Sequence, residues 1–434
     1  MSEKLPPALR AYRLLSAAVA PLMPLMLSRR LKRGKEHGAR LPERRGLSRI
    51  ARPQGPLIWL HGASVGELSS VLPLIERLRA RGFGVLVTSG TVTSGDLAEQ
   101  RLPRGVVHQF VPLDVPRFVR QFLGHWRPDL ALMVESDLWP NMIVEASARR
   151  IPMVLINARV SERSFRRWNY LRGTIVNLLQ RFDLCLAGTP ADAERLTALG
   201  AARVVTAGNL KLDVPAPPAD DKKLDELTDA IAMRPLIAAA STHPGEESAV
   251  LDVHRRLRGN FPRLLTLIAP RHPERGPGVV ELAAAAGLKA ALRSRGERPD
   301  AATEIYVADT VGELGLIYRL APVVFIGGSL VRHGGQNPIE AAKLGAAILH
   351  GPHVWNFTEI YEALDAAHGA ELVTDADRLT VAFGALLNDA AARGRATGAA
   401  RATVDALGGA LERTLQSLEP YLMQLQLRGR AGHA

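Results

Sequence analysis

The stretch LIWLHGASVGELSSVLPLIERLRARG, residues 57–82, decides how the chain is to be read. LIWLH is a short apolar run of strand character. Small and glycine residues follow, and then Leu68, Val71, Leu72, Ile75 and Leu78 recur at helical spacing until Gly82 stops the pattern. A strand that passes through glycines into a helix is the opening unit of a parallel sheet with crossover helices. Such a turn attracts anions, because unpaired N–H groups and the helix dipole both point into it. Glu67 stands in that place and would repel a phosphate. Two roles are open to it. Ser64-Val65-Gly66-Glu67 fits a capping box, with Ser64 as N-cap and Glu67 reaching back to the N–H of Ser64. Alternatively Glu67 is a general base at a strand end, placed to take a proton from an acceptor hydroxyl.

The same alternation continues along the chain. Candidate strands are 57–61, GVLVTS (84–89), VVHQFVP (106–112), LALMVE (130–135), MVLINA (153–158) and LCLAG (184–188), with amphipathic helices between them. VPAPPADDKK, rich in proline and charge, reads as a linker at 214–224. A second set follows: PLIAAAS (235–241), LLTLIAP (264–270), EIYVAD (304–309), PVVFIGG (322–328) and AAILHG (346–351). The expectation is an α/β protein of two doubly wound, Rossmann-like domains, 36–213 and 225–410, with ligand in a cleft at the carboxyl ends of their strands. Residues 411–434 are expected to form a C-terminal helix packing back on the N-terminal domain, with RGRAGHA (428–434) frayed.

Of 434 residues, 47% are hydrophobic, enough for two cores. One cysteine, Cys185, excludes an internal disulfide and a thiolate-rich metal site. The formal charge is +12, but residues 1–53 hold thirteen Lys and Arg against three acids, so the basic character is local. That suits an arm beside an anionic partner; a body that wraps nucleic acid would be basic throughout. Only Tyr12 interrupts the arm as an aromatic, which also speaks against nucleic acid. Within the arm, LLSAAVAPLMPLML (14–27) is shorter than a usual spanning helix, contains Pro21 and Pro24, and runs straight into SRRLKRGKEHGAR. Basic residues after the apolar run replace the small-residue cleavage site of a signal peptide. Residues 1–35 therefore read as an uncleaved membrane-proximal helix, inserted or lying in the interface, beside anionic lipid on the cytoplasmic face. A domain-capping helix with a basic solvated face is the alternative.

Other charged clusters also end strands. VESDLWPN (134–141) supplies Glu135; NARVSERS (157–164) and GNLKLD (208–213) add Arg159, Arg163 and Lys211, suited to an anionic substrate. In the second set, STHPGEE (241–247), APRHPER (269–275) and GGSLVRHGGQNPIEAAKLG (327–345) follow strands. In the last, Asn337 is the expected N-cap, Pro338 the N1 residue and Glu340 the N3 residue of a helix ended by Gly345. A nucleotide phosphate at that N-terminus, with Arg271 as cation and Glu340 accepting from ribose hydroxyls, is the functional reading. No GxxxxGK[ST], HExxH or GxSxG motif occurs. Asp375-Ala-Asp377 reads as a helix cap, and the histidines lack ligand spacing, so no metal is expected.

In order, HGASVGE, ESDLWPN, NARVSERS, GNLKLD, STHPGEE, PRHPER and GGSLVRHGGQNPIEAAKLG closely resemble the lipid A Kdo transferases, over about residues 40–365. Gln336 stands where many members carry histidine. The resemblance implies a GT-B fold and a metal-independent, cofactor-free, inverting transfer of 3-deoxy-D-manno-octulosonic acid (Kdo) from CMP-Kdo to a lipid A precursor at the inner membrane's cytoplasmic face. It implies Glu67 as catalytic base, Glu135 and Lys211 as transition-state support, and CMP contacts at Pro270, Arg271, Val311, Gly312, Glu313, Asn337, Pro338, Ile339 and Glu340. Another two-domain enzyme, a UDP-sugar transferase or epimerase, would share the fold and the glycine-rich loop.

Overall fold

A computed structural model describes residues 5–431. The chain divides into two compact units: one runs to Val214 and takes in the chain again from Gly408, and the other is Pro215–Leu407. The division falls inside the proline-rich stretch expected as a linker. Part of that stretch is helical, because Asp220 caps the helix Asp221–Ile231 by accepting from Lys223 N.

The first unit holds seven parallel strands: β1 (Leu57–His61), β2 (Gly84–Ser89), β3 (Val107–Phe110), β4 (Leu130–Val134), β5 (Met153–Ala158), β6 (Leu184–Ala187) and β7 (Val204–Thr206). Their order is β3-β2-β1-β4-β5-β6-β7, so the winding reverses between β1 and β4. The central strands are buried on both faces, which is why they read as continuous apolar runs. Alternate residues feed two cores. Trp59, Met133 and Leu155 join Phe122 and Trp126 on one face, with the Trp59 and Phe122 rings 4.9 Å apart. Ile58, Leu132 and Ile156 meet the helix Val65–Ala80 on the other. The helix Ala410–Ala431 completes that second face with Leu415, Leu418, Leu422 and Leu425, a three-four-three spacing. It extends over the first four residues of RGRAGHA; the last three lie outside the described residues. Asp213 fixes its start by accepting from Gly409 N at 2.7 Å and from Leu411 N.

The second unit repeats the plan with β8 (Leu236–Thr242), β9 (Leu265–Pro270), β10 (Ala290–Leu292), β11 (Ile305–Val307), β12 (Val323–Ile326), β13 (Ala347–His350) and β14 (Ala370–Leu372), ordered β10-β11-β9-β8-β12-β13-β14. Its winding reverses between β8 and β12. In each unit the connections at the carboxyl side of the central strands gather where a doubly wound sheet binds ligands.

Candidate functional site

Glu67 sits at N3 of the helix Val65–Ala80, and the structure gives it a cap of altered form. Ser64 Oγ accepts from Glu67 N at 3.3 Å and donates to Glu67 Oε1 at 2.8 Å. The second carboxylate oxygen takes the N–H of Ala63 at 2.8 Å, where the sequence pointed to the N–H of Ser64. With one oxygen already held by the Ser64 hydroxyl, the other falls against the preceding turn. Burial raises the Glu67 carboxyl above its ordinary value, against the lowering effect of the Ser64 and Ala63 hydrogen bonds, and the nearby Asp137 and Glu135 charges raise it further. A partly buried carboxylate biased toward taking up a proton has the character of a general base.

Glu135 is the first residue past β4, with φ of 59°. A left-handed conformation is strained for a glutamate, and such strain collects at functional strand ends. Its carboxylate meets Lys211 Nζ at 2.6 Å, an ion pair largely shielded from solvent. Lys211 lies on the 3₁₀ turn Leu210–Leu212, which Asn157 positions: its Oδ1 accepts from Leu210 N at 3.0 Å while its Nδ2 donates to Glu135 Oε1 at 3.4 Å. Asn157 is itself left-handed (φ 50°), at the bulge in β5. Asp137, also raised chiefly by burial, accepts from the Trp139 side chain. Arg159 joins Glu135, Ser136 and Ser164 on the polar wall of a cavity of about 70 Å³ whose other walls include Leu138, Leu155 and Trp168. Arg163 is exposed on the helix Glu162–Tyr170. Glu67, Glu135, Asp137 and Lys211 thus gather at the carboxyl edge of one sheet. Asn157 and Asp137 are the members that sequence reasoning passed over, and NAR at the end of a strand-like run was the only signal for the first.

In the second unit the glycine-rich loop 327–335 is tied down from below. Glu246, fully buried, accepts from Gly328 N (2.7 Å) and His243 N (2.9 Å) on one oxygen and from Ser329 N (2.9 Å) and Leu330 N (3.0 Å) on the other. These four amides are satisfied by a carboxylate of the same unit, so they are not donors left for a ligand; the expected phosphate position, the helix start at Asn337, lies further along the chain. Gly327 has a packing reason, since a Cβ there would lie 2.6 Å from Ser241 O. Asn337 accepts from Ile339 N at 3.0 Å, and the helix that follows is Ile339–Lys343, so Pro338 precedes the first helical residue. Five residues are too few to sum much of a dipole. Ile339 is buried, so its side chain serves the core and only its backbone is available to the turn.

What the loop does present is a cluster of imidazoles. His243 stacks on His333 with ring centroids 4.0 Å apart, and His272 approaches edge-on at 6.0 Å. Gln336 Nε2 lies 3.2 Å from His243 Nε2, within hydrogen-bond distance. Burial first, then the charges of His333, His272, Arg271 and Arg275, lowers the His243 pKa to about 4. Pro270 ends β9 and is buried; Arg271 is exposed, its N–H bonded to Thr242 O at 2.9 Å. The three histidines were not singled out from the sequence, because metal-ligand spacing was the signal sought and these residues meet through folding. Val311 and Gly312 are exposed, whereas Glu313 is engaged by Arg293 and by Lys223 Nζ at 2.8 Å, and the Arg293 hydrogen bond leads in lowering its pKa to about 2. Glu340 is partly exposed. Asp375 caps the helix Ala376–Asn388 through Arg378 N, and Asp377 pairs with Arg256, so that DxD is structural. Among the described residues no cluster of three His, Cys, Asp or Glu is placed to hold a metal.

These features coincide with sequence and structural kinship. Residues 39–214 match the family model described as 3-deoxy-D-manno-octulosonic-acid transferase (kdotransferase). A 3-deoxy-D-manno-octulosonic acid transferase of Bordetella pertussis is 36% identical over 423 residues, covering 95% of this chain and 99% of its own. That of Haemophilus influenzae is 35% identical, over 85% of this chain and 88% of its own. A glycosyltransferase structure from Rickettsia africae matches with a TM-score of 0.59 at 13% identity, over 85% of this chain and 99% of its own, a likeness of fold. The UDP-GlcNAc 2-epimerase of Neisseria meningitidis does so at 0.56 and 13%, over 83% of this chain and 100% of its own. The fold is of GT-B type, and the chain belongs to the 3-deoxy-D-manno-octulosonic acid transferase family.

Proposed function

We propose that the protein transfers Kdo from CMP-Kdo to the sugar hydroxyl of a lipid A precursor, with inversion and without a metal, at the cytoplasmic face of the inner membrane. The observation that carries this reading is the carboxylate group at the edge of the first sheet: Glu67, raised by burial, beside the Glu135–Lys211 ion pair. A sugar hydroxyl is too weak an acid to attack unaided. Glu67 accepts its proton as the new bond forms, an effect on the order of 10²- to 10⁴-fold. The Ser64 hydroxyl and the Ala63 N–H hold the carboxylate in place and are the partners that an acceptor hydroxyl exchanges with.

The second unit holds the donor. As the glycosidic bond breaks, negative charge grows on the CMP phosphate; Arg271 is assigned to receive it, and the turn of Asn337, Pro338 and Ile339 to flank the nucleotide. Val311, Gly312 and Glu313 flank the nucleotide, and Glu340 takes a ribose hydroxyl. Lys211, paired with Glu135, is assigned to support the transition state. Donor choice tests this reading against a UDP-sugar enzyme of the same fold. In calorimetry the protein is expected to bind CMP at least about tenfold more tightly than UMP or UDP, a difference of about 1.4 kcal/mol; a preference for UDP would move it to the epimerase and UDP-transferase side.

A further inference from the structure

No single helix among the described residues is long and apolar enough to cross a membrane, whereas Pro7–Ala18 and Ala20–Lys32, bent by 42°, pass that test as a pair. Their contacts decide what the pair does. Leu9 in the first helix and Leu27 in the second are 1% and 3% exposed, while Leu14, Leu15, Leu22 and Leu25 between them are 56% to 72% exposed. The first helix is tied to its unit by Tyr12 Oη donating to Asp114 Oδ2 (2.9 Å), by the Arg13–Glu145 ion pair (2.7 Å) and by Ser16 Oγ accepting from Asn141 Nδ2 (3.1 Å). The second is tied by Arg30 to Glu36 at 2.7 Å. Glu36 is buried against Arg44, whose remaining nitrogens donate to Val111 O at 3.2 Å and Gly90 O at 2.6 Å.

We propose that the helix pair is a staple lying in the plane of an anionic bilayer, fastened at both ends to the first unit, with Leu14, Leu15, Leu22 and Leu25 entering the headgroup–acyl boundary. A spanning helix would separate Leu9 from Leu27 by about 27 Å along its axis and place them on opposite sides of the bilayer. Both are buried in one folded unit instead. The charge fits the partner: Arg29, Lys32, Arg33 and Lys35 are exposed or at the surface, while the one nearby acid, Glu36, is buried and paired. The fastening points also tell where the bilayer lies. Gly90, Val111, Asp114 and Asn141 stand on the connections leaving the carboxyl ends of β2, β3 and β4, the edge that carries Glu67 and Glu135. The exposed Trp139, on the same connection as Glu135, adds an interfacial aromatic. A lipid-borne acceptor therefore meets the carboxylates at the membrane surface.

This inference rests on the membrane reading above, and the test separates the two. Full-length protein carrying Ala8→Cys or Lys35→Cys is labelled with an impermeant maleimide in inverted inner-membrane vesicles; Cys185 stays silent, being buried with its thiol pushed up to about 12. Both positions are expected to react equally with and without detergent. Protection of Ala8→Cys until detergent is added, with Lys35→Cys open, would overturn the in-plane staple and establish a span. In flotation with phosphatidylethanolamine–phosphatidylglycerol vesicles, Leu15→Glu/Leu22→Glu is expected to lose binding on the order of a hundredfold at unchanged melting temperature. Undiminished binding by that variant would remove the staple as the contact. Failure of the unaltered protein to bind these vesicles would overturn the membrane reading and the staple together.

Discussion

At the scale of single residues, Glu67 is both a helix cap and the assigned base, and a glutamine substitution separates the two. The side-chain amide of Glu67→Gln can still accept from Ala63 N and donate to Ser64 Oγ, so this variant is expected to keep CMP affinity while transfer falls by on the order of 10²- to 10⁴-fold. Because burial raises the carboxyl, its folded form binds the proton more tightly than the unfolded chain. Its contribution to stability is therefore present at low pH and lost as pH rises through the folded value, so at about neutral pH Glu67→Gln is expected to melt no lower than the parent. Glu67→Ala keeps the Ser64 cap, which is made to the backbone N–H of residue 67, but leaves the Ala63 N–H and the Ser64 hydroxyl without the carboxylate, at a cost of about 1 kcal/mol. Likewise, turnover should fall on the acid side at a pH above the ordinary carboxylate range, and that limb should vanish in Glu67→Gln. Lys211→Met leaves Glu135 shielded from solvent without its cation; it is expected to destabilise the first unit by about 3 kcal/mol in urea melts, and Lys211→Arg to recover most of that.

At the scale of elements, the glycine-rich loop depends on Glu246. Glu246→Gln puts an amide donor against two of four backbone N–H groups, and unsatisfied buried donors cost about 1–3 kcal/mol each. A lower melting temperature of the second unit and weaker CMP binding are the expected outcomes in calorimetry; unchanged CMP affinity would detach the loop from the donor. This contact also shows where legibility ends. The buried strands β1, β2, β4, β5, β8, β9, β12 and β13 were readable because strands covered on both faces must be apolar throughout. The edge strands β7, β10 and β14 have three residues each, too few to show any period. Glu67, Glu135 and Lys211 were visible as charges interrupting apolar runs at strand ends. Asn157, Glu246 and His243 were not, because each acts through partners distant in sequence: Leu210 for Asn157, Ser329 for Glu246, and His333 for His243.

At the scale of the whole molecule, the chain leaves its first unit at Val214 and returns at Gly408, so the first unit is completed only by the last helix. Leu415, Leu418, Leu422 and Leu425 are buried there, and fully burying a leucine is worth about 1.5–3 kcal/mol. A chain ending at Leu407 forfeits all four, a loss comparable with the total stability of a domain, and is expected to be insoluble or unfolded in its first unit by circular dichroism. Removal of residues 1–28 would likewise strip Leu9, Leu27 and the Tyr12–Asp114 bond, which is why surface substitutions are the cleaner probe of membrane contact. Across both units, the proposed chemistry comes to one transformation. Mass spectrometry of a tetraacylated lipid A precursor incubated with the full-length protein and CMP-Kdo reads it directly: one or more Kdo units should be added to the acceptor with release of CMP, and an acceptor of unchanged mass, with CMP-Kdo intact or merely hydrolysed, would contradict it.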